Sequence, residues 1–295
     1  MTRTKLSTAL ALAAVVAAPF CARAENEAEP KAREIDTEHL FGFNVGSDVG
    51  EVGDREIESQ LDGGFGKGVG SYTTWSPMLG YEWVPVKNLR LEVTAAASYF
   101  DIAGVTGLDD RRQGVFQGLA FEMRYRLLDR EQSGIGLAID AEPHWGRVDE
   151  LSGAPVDLYG VDLAVYADTE IVKDRIIGVF NLIYQPDAER SRVTGEWLRE
   201  STLGASVGLM AHVDRSMFFG AEARYLQRYD GLGVDQLAGH GLFVGPMMFA
   251  QLTEHWWMSA AISVQVAGRA VADPAPLDLT DFDRVQTRFR LGYSF

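Results

Sequence analysis

The stretch Arg284-Val-Gln-Thr-Arg-Phe-Arg-Leu-Gly-Tyr-Ser-Phe295 decides the fold. Val285, Thr287, Phe289, Leu291, Tyr293 and Phe295 share one parity, while Gln286, Arg288, Arg290, Gly292 and Ser294 share the other. A strand sends alternate side chains to opposite faces. One face of this segment is therefore apolar and aromatic to its last residue, and the other is cationic and small. A strand that faces lipid on one side and an aqueous interior on the other has this pattern.

Period-2 alternation recurs along the chain. The segments are 54–61, 72–84, 89–99, 115–127, 135–145, 159–168, 176–185, 200–212, 219–228, 238–252, 256–266 and 285–295. The segment 89–99 is representative, with Leu89, Leu91, Val93, Ala95, Ala97 and Tyr99 against Arg90, Glu92, Thr94 and Ser98. Short turns (85–88, 129–133, 172–175, 214–216, 253–255) alternate with longer connections (101–113, 147–157, 186–196, 267–282). That asymmetry belongs to outer-membrane barrels. The expected fold is all-β: a transmembrane antiparallel β-barrel of about twelve strands. An even strand number puts both termini on one side, the periplasmic one.

Aromatic residues gather at strand ends. Trp75, Tyr99, Trp145, Tyr159, Tyr184, Trp197, Tyr225 and Tyr229 lie next to the longer connections. Tyr81, Trp83, Tyr125, Phe219, Trp256, Tyr293 and Phe295 lie at the opposite ends. Two girdles at two membrane interfaces follow.

The beginning of the chain agrees. Arg3 and Lys5 precede an apolar run over 9–20, and Ala22-Arg23-Ala24 forms an A-x-A cleavage site, so 1–24 read as a signal peptide. The lone Cys21 follows Phe20 rather than the small residue a lipoprotein site uses, and disulfides have no part. The segment 25–50 reads as an N-terminal periplasmic or lumen-tucked piece: 25–38 is polar and acidic, whereas Leu40, Phe41, Phe43 and Val45 are too apolar for solvent. Tucking is preferred, because an extra strand would make the count odd. Residues 51–295 are the outer-membrane barrel.

The net charge of −15 argues against nucleic acid, which needs a basic footprint. If the apolar parity faces lipid, the lumen is lined by Glu82, Arg90, Glu92, Glu122, Arg124, Arg126, Asp140, Glu142, His144, Asp162, Asp168, Glu200, His212, Glu222, Arg224, Arg228, Arg288 and Arg290. Glu170 shares that parity. Acids outnumber arginines there, so an open pore would prefer cations. The same mixed charges can instead pair across the interior and seal it. At the seam, Glu56 and Glu58 of the first strand are the expected partners of Arg288 and Arg290 of the last.

No cofactor or metal site, and no enzyme, is expected. His-x-Glu spacing and phosphate-binding glycine loops are absent. The outward His240 has Tyr225, Gln227 and Tyr229 on one side and Val264 and Val266 on the other, without a serine nucleophile. The acidic clusters Asp109-Asp110, Asp149-Glu150 and 278–283 read as solvated loop charge rather than as divalent-cation bridges to lipopolysaccharide.

At class level the chain resembles Gram-negative outer-membrane barrels of the small-channel or putative-transporter kind. Barrels of that class end on an assembly signal, polar-x-Gly-x-x-aromatic-x-aromatic. Arg288, Tyr293 and Phe295 match it, and Arg290 stands where glycine is usual. Gly241-Leu-Phe-Val-Gly-Pro246 and Leu40-Phe-Gly-Phe43 also resemble barrels grouped with the meta-pathway phenol-degradation outer-membrane proteins. The resemblance implies a porin-like channel or transporter for passive passage of small solutes. Its implied partners are outer-membrane lipid, lipopolysaccharide and the barrel-assembly machinery. A sealed barrel with interacting surface loops, and an outer-membrane lipid-modifying hydrolase, are the alternatives.

Overall fold

The computed structural model describes residues 36–295 other than 215. The signal peptide expected at 1–24, Cys21 and the stretch 25–35 lie outside the described residues. Twelve strands run in sequence: β1 (Arg55–Phe65), β2 (Ser71–Val86), β3 (Leu89–Ala103), β4 (Arg111–Leu128), β5 (Gly136–Val148) and β6 (Pro155–Val172). β7 (Ile176–Ser191), β8 (Trp197–Asp214), β9 (Met217–Asp230), β10 (Leu237–Gln251), β11 (Trp256–Ala270) and β12 (Val285–Ser294) complete them. Each pairs antiparallel with its sequence neighbours, and β1 pairs with β12, closing the barrel. Closure leaves no row of unpaired backbone groups to meet hydrocarbon, which could not satisfy them.

The parity read from the sequence is the parity of the wall. Leu79, Val93, Leu119, Leu163, Leu182, Val207, Leu209 and Ile262 form an exposed apolar belt. On the opposite face of the same strands Glu82, Arg90, Glu122, Arg124 and Glu222 are buried inside. Tyr81, Tyr125, Phe219 and Trp256 stand outward at the rim that carries β1's start and β12's end, and Tyr159, Trp197 and Tyr225 stand outward toward the other. Tyr229 departs from its girdle: it is buried, close to the register shift between Leu237 and Gly239 on the neighbouring strand.

The long connections are shorter than the sequence suggests. β3 and β4 continue to Ala103 and from Arg111, so both ends of 101–113 belong to strands and the connection shortens to 104–110, and β7 runs to Ser191 opposite Val156. The reason is physical. Beyond the hydrocarbon both faces of a strand meet water, so apolar alternation fades while backbone pairing persists. The turn at 129–133 holds a one-turn helix, α1 (Arg130–Ser133), capped by Asp129, which accepts from the Glu131 N–H.

One glycine in β10 is sterically required. A Cβ on Gly245 would stand 1.6 Å from the Ile262 carbonyl oxygen. Gly245 and Pro246 follow a register shift against β11 at Leu242/Phe243. The Gly-Leu-Phe-Val-Gly-Pro stretch therefore marks a bulge and a close strand approach in the wall.

Residues 36–50 run inside the barrel. Leu40 and Phe41 are fully buried against Ile177, Val179, Met210, Phe218, Met247 and Ala261, apolar side chains that the wall turns inward.

Placing a cation on the belt tests this inside–outside assignment. Val207, 53% exposed between Phe180 and Ala223, should tolerate Ala, whereas Val207→Arg should lower folding stability in lipid vesicles by about 2–4 kcal/mol. A neutral Arg variant would reverse the assignment of faces.

Candidate functional site

A cavity of about 670 Å³ occupies the lumen. It runs from Glu38, His39, Phe43 and Val45 of the N-terminal segment to Glu150, Asp187, Glu200 and Asp281 toward the rim with the longer connections. Asp and Glu outnumber Arg and His among its lining side chains. Thr74, Ser76, Thr202 and Gly204 also line it, small groups that leave room for water.

The N-terminal segment closes one end, and polar wall groups hold it. The Glu222 carboxylate accepts from the Phe43 N–H (3.0 Å), the Asn44 N–H (3.1 Å) and Asn44 Nδ2 (2.8 Å). Asn181 accepts from the Val45 N–H at 2.7 Å and donates to the Val45 carbonyl at 2.8 Å. Asp168 accepts from the Ser47 N–H at 2.5 Å and from Arg130 Nη1 at 2.7 Å. Arg290 Nη2 donates to the Phe41 carbonyl at 2.6 Å and the His39 carbonyl at 3.1 Å. The segment has no ladder of its own, so β6, β7, β9 and β12 supply the partners its buried backbone needs.

Beside it lies a buried ion cluster. Arg90 contacts Glu122 (2.6 Å), Glu82 and Glu38 (2.9 Å each) and Glu92 (3.7 Å). Arg124 joins Glu122 (2.9 Å) to Asp140 (3.2 Å) and lies over the Tyr166 ring. Glu92↔Glu122 and Arg90↔Arg124 are direct cross-strand like-charge pairs, a costly arrangement unless opposite charges interleave. Here they do.

In the half of the lumen nearer the longer connections, the outer half, His144 Nε2 lies 3.0 Å from Asp187, and His144 Nδ1 lies 3.9 Å from Asp162. Gly160 makes this possible: a Cβ there would sit 1.8 Å from Asp187 Oδ1 and 2.4 Å from His144 Nε2. Arg228 pairs with Glu200. The connection 271–284 bends back over the mouth, where Phe282 packs on Phe243, Asp278 is fully buried, and Lys67 lies 3.6 Å from Asp283. The reading of 278–283 as solvated charge is thereby corrected. Asp278 accepts from the Asp281 N–H and its carbonyl accepts from Gln265, so these acids shape a folded loop. Two loop carboxyls at the mouth are shifted. Enclosure, then the nearby Asp187 and Asp162, push Glu150 up to about 7. Burial, then Asp278, push Asp281 up to about 6.

At the seam, Arg288 makes a two-pronged pair with Asp62, at 2.9 and 2.7 Å, and not with Glu56 or Glu58. Arg290 lies 3.8 Å from Glu58, while Glu56 stands opposite Ser294 and accepts from its hydroxyl. The expectation of Glu56 as an arginine partner is corrected by the register. β1 continues past 61, where the alternating segment read from the sequence ends, through Gly63-Gly64, and this brings Asp62 opposite Arg288.

Thirteen of the eighteen luminal candidates border the cavity: Glu82, Arg90, Glu92, Glu122, Arg124, Glu142, His144, Asp162, Glu200, Arg224, Arg228, Arg288 and Arg290. Asp140 is spent in the ion cluster, and Asp168 and Glu222 are covered by the N-terminal segment. Arg126 reaches Asn88 and Asp48, and His212 stacks on Phe218 and contacts the Asp174 carbonyl, both at the terminal rim. The outward His240 faces Gln227 and Arg269 across the strands, not Val264 or Val266, because the bulge shifts β11. Neither neighbour is a nucleophile.

Sequence reasoning missed Arg130, His39, Asp48 and Asn181. Arg130 sits in a turn and His39 in a stretch without periodicity, so neither carries a pattern signal. Asn181 alternates on the inward face of β7 and was readable there as a lone polar group among Ile177, Val179 and Ile183. His39 meets Glu56, Glu58 and Glu82 in a buried group whose ligand-type atoms all lie within 4.8 Å, against the expectation of no metal-ligand cluster.

Residues 33–295 match the family of unknown function DUF6662, and the chain belongs to that family. No curated protein sequence matches it. The COG4313 outer membrane channel from Pseudomonas putida F1 is similar in structure, with a TM-score of 0.56 at 13% identity, over 84% of this chain and 98% of that one. The NanC porin gives 0.46 at 10% identity (82% and 98%), and the CymD monoaromatic hydrocarbon channel 0.43 at 9% (88% and 98%). The fold is thus that of an outer-membrane β-barrel.

The anchoring of residues 36–50 generates a test. Glu222→Ala removes the acceptor of three donors, and each donor left without a partner in the interior costs about 1–3 kcal/mol. A glutamate-specific protease should then cut after Glu38 faster than in the wild type, with the heat-modifiable gel mobility of the barrel unchanged. Equal cutting rates would show that Glu222 does not hold the segment.

Proposed function

We propose that this member of the family is an outer-membrane channel for passive passage of small solutes, selective for cations and closed here by residues 36–50. The carrying observation is the acid-rich lumen that ends on a segment held by side chains rather than by strand pairing. Such a segment can leave without breaking the barrel's ladder. The Pseudomonas neighbour is described as an outer membrane channel, which accords with this reading.

Cations are favoured because carboxylates dominate the lumen, and field lines focus in a narrow low-dielectric bore. Arg288 is neutralised by Asp62 and Arg228 by Glu200. Asp162 and Asp187 meet the single imidazole of His144, while neutral amides, Gln185 and Gln117, donate to Asp162 and Glu150.

The buried ion cluster supports a second reading, a sealed barrel whose loops mediate surface interactions. Conductance in planar bilayers separates the two. Glu222→Ala and Asn181→Ala should raise the open probability over the wild type. A barrel silent in all three forms would instead be the sealed one. Lipid hydrolysis on incubation with outer-membrane lipid would reveal the hydrolase alternative.

Selectivity carries a pH signature. A carboxyl pushed upward is charged only above its raised value, so Glu150 gains its charge above about 7 and Asp281 above about 6. Reversal potentials in a salt gradient should show stronger cation preference at about pH 8 than at about pH 5. Anion preference at both values would overturn the selectivity.

A further inference from the structure

The group formed by His39, Glu56, Glu58 and Glu82 lies at the end of the lumen closed by the N-terminal segment, away from Glu150, Asp162 and Asp187. His39 comes from the N-terminal segment, Glu56 and Glu58 from β1, and Glu82 from β2. All four are buried. His39 Nε2 lies 3.1 Å from Glu56 Oε1, and His39 Nδ1 lies 3.6 Å from Glu58 Oε2. The imidazole is fixed in plane by stacking on Trp257, with ring centroids 4.2 Å apart and planes 12° apart.

Two observations point to a cation ligand for this group. The first is charge balance. Glu38 also approaches His39 Nε2 at 3.8 Å, so four carboxylates crowd one imidazole. The nearby guanidiniums are Arg90, Arg124 and Arg290; Arg90 is already divided among Glu82, Glu92, Glu122 and Glu38, and Arg124 between Glu122 and Asp140. Buried carboxylates in such excess are compensated by protons or by a metal ion. The second is an acceptor without a well-directed hydrogen bond. Glu56 Oε1 is buried and turned into the group, where it meets His39 Nε2 at 3.1 Å, whereas its partner oxygen accepts from Ser294.

We propose that His39, Glu56, Glu58 and Glu82 bind one divalent transition-metal ion of the zinc class, which clasps the N-terminal segment to the β1–β2 wall. One imidazole nitrogen with carboxylate oxygens is a donor set for Zn²⁺ or Co²⁺. Tetrahedral coordination at zinc–ligand distances of 2.0–2.2 Å needs donor atoms roughly 3.4 Å apart. The four donor atoms lie within 4.8 Å of one another, so small side-chain rotations bring them into range. The site exists only when the segment is docked, because its single nitrogen ligand travels with the segment. The ion would therefore stabilise the docked state by mass action. This goes beyond the channel reading and holds whether or not the barrel conducts.

The test uses the full folded chain in detergent, stripped with a chelator, and titrated with Zn²⁺ by calorimetry and with Co²⁺ by visible absorption. One ion per chain is expected, with a rise in unfolding temperature. His39→Asn and Glu58→Gln should each weaken binding by about tenfold or more, whereas His240→Asn should leave it unchanged. His39→Cys should keep Co²⁺ binding and add thiolate-to-cobalt charge-transfer absorption, which a folding defect would not produce. Heat-modifiable gel mobility identifies variants that remain folded. Absence of stoichiometric binding to the wild type would overturn the proposal. Undiminished binding in both folded ligand variants would overturn it equally.

Discussion

A strand edge cannot be left facing hydrocarbon, and the rest of this structure depends on that constraint. The pairing of β1 with β12 satisfies it. Once the sheet is closed, every residue has a side. The alternation that looks statistical in the sequence becomes a partition between lipid and lumen. Charges then have nowhere to go but inward, where they meet in a space too small for each to keep its own water.

Pairing is the consequence. Carboxylates from β2, β3, β4 and β5 crowd two guanidiniums, Arg90 and Arg124. The wall alone does not complete the interior: Leu40 and Phe41 cover its inward apolar patch, and Glu222, Asn181 and Asp168 find donors on the segment's backbone. Plug and wall thus complement each other in both apolar area and hydrogen bonding. The outer half differs. It keeps a cavity, and its acids are only partly matched.

Strand number and wall parity were legible in the sequence because hydrocarbon enforces strict alternation over each crossing. Val207 against Ser206, or Leu91 against Arg90, needed no neighbour to be read. Strand ends at the outer rim were not legible, since Arg111 and Arg112 lie on paired backbone without the apolar face that marks a strand. Contacts within the site were less readable still. Asp62 was hidden by the Gly-Gly that follows it, and His39 by a stretch whose position is set entirely by what the lumen offers. Pairing partners are a property of register, and period-2 patterns repeat too often to define one.

Register has a consequence for the width of the bore. A slip of one residue between β1 and β12 would turn every side chain to the wrong face, so the apolar pattern forbids it. A slip of two would not. It would keep lipid residues outside and charges inside, yet change the stagger that sets strand tilt and diameter in a barrel of given strand number. What distinguishes the observed alignment is local chemistry: Arg288 faces Asp62, whereas a two-residue slip would set it against Gln60 or Gly64. One ion pair on the inner face of the joint between the first and last strands therefore helps to gauge the whole cylinder.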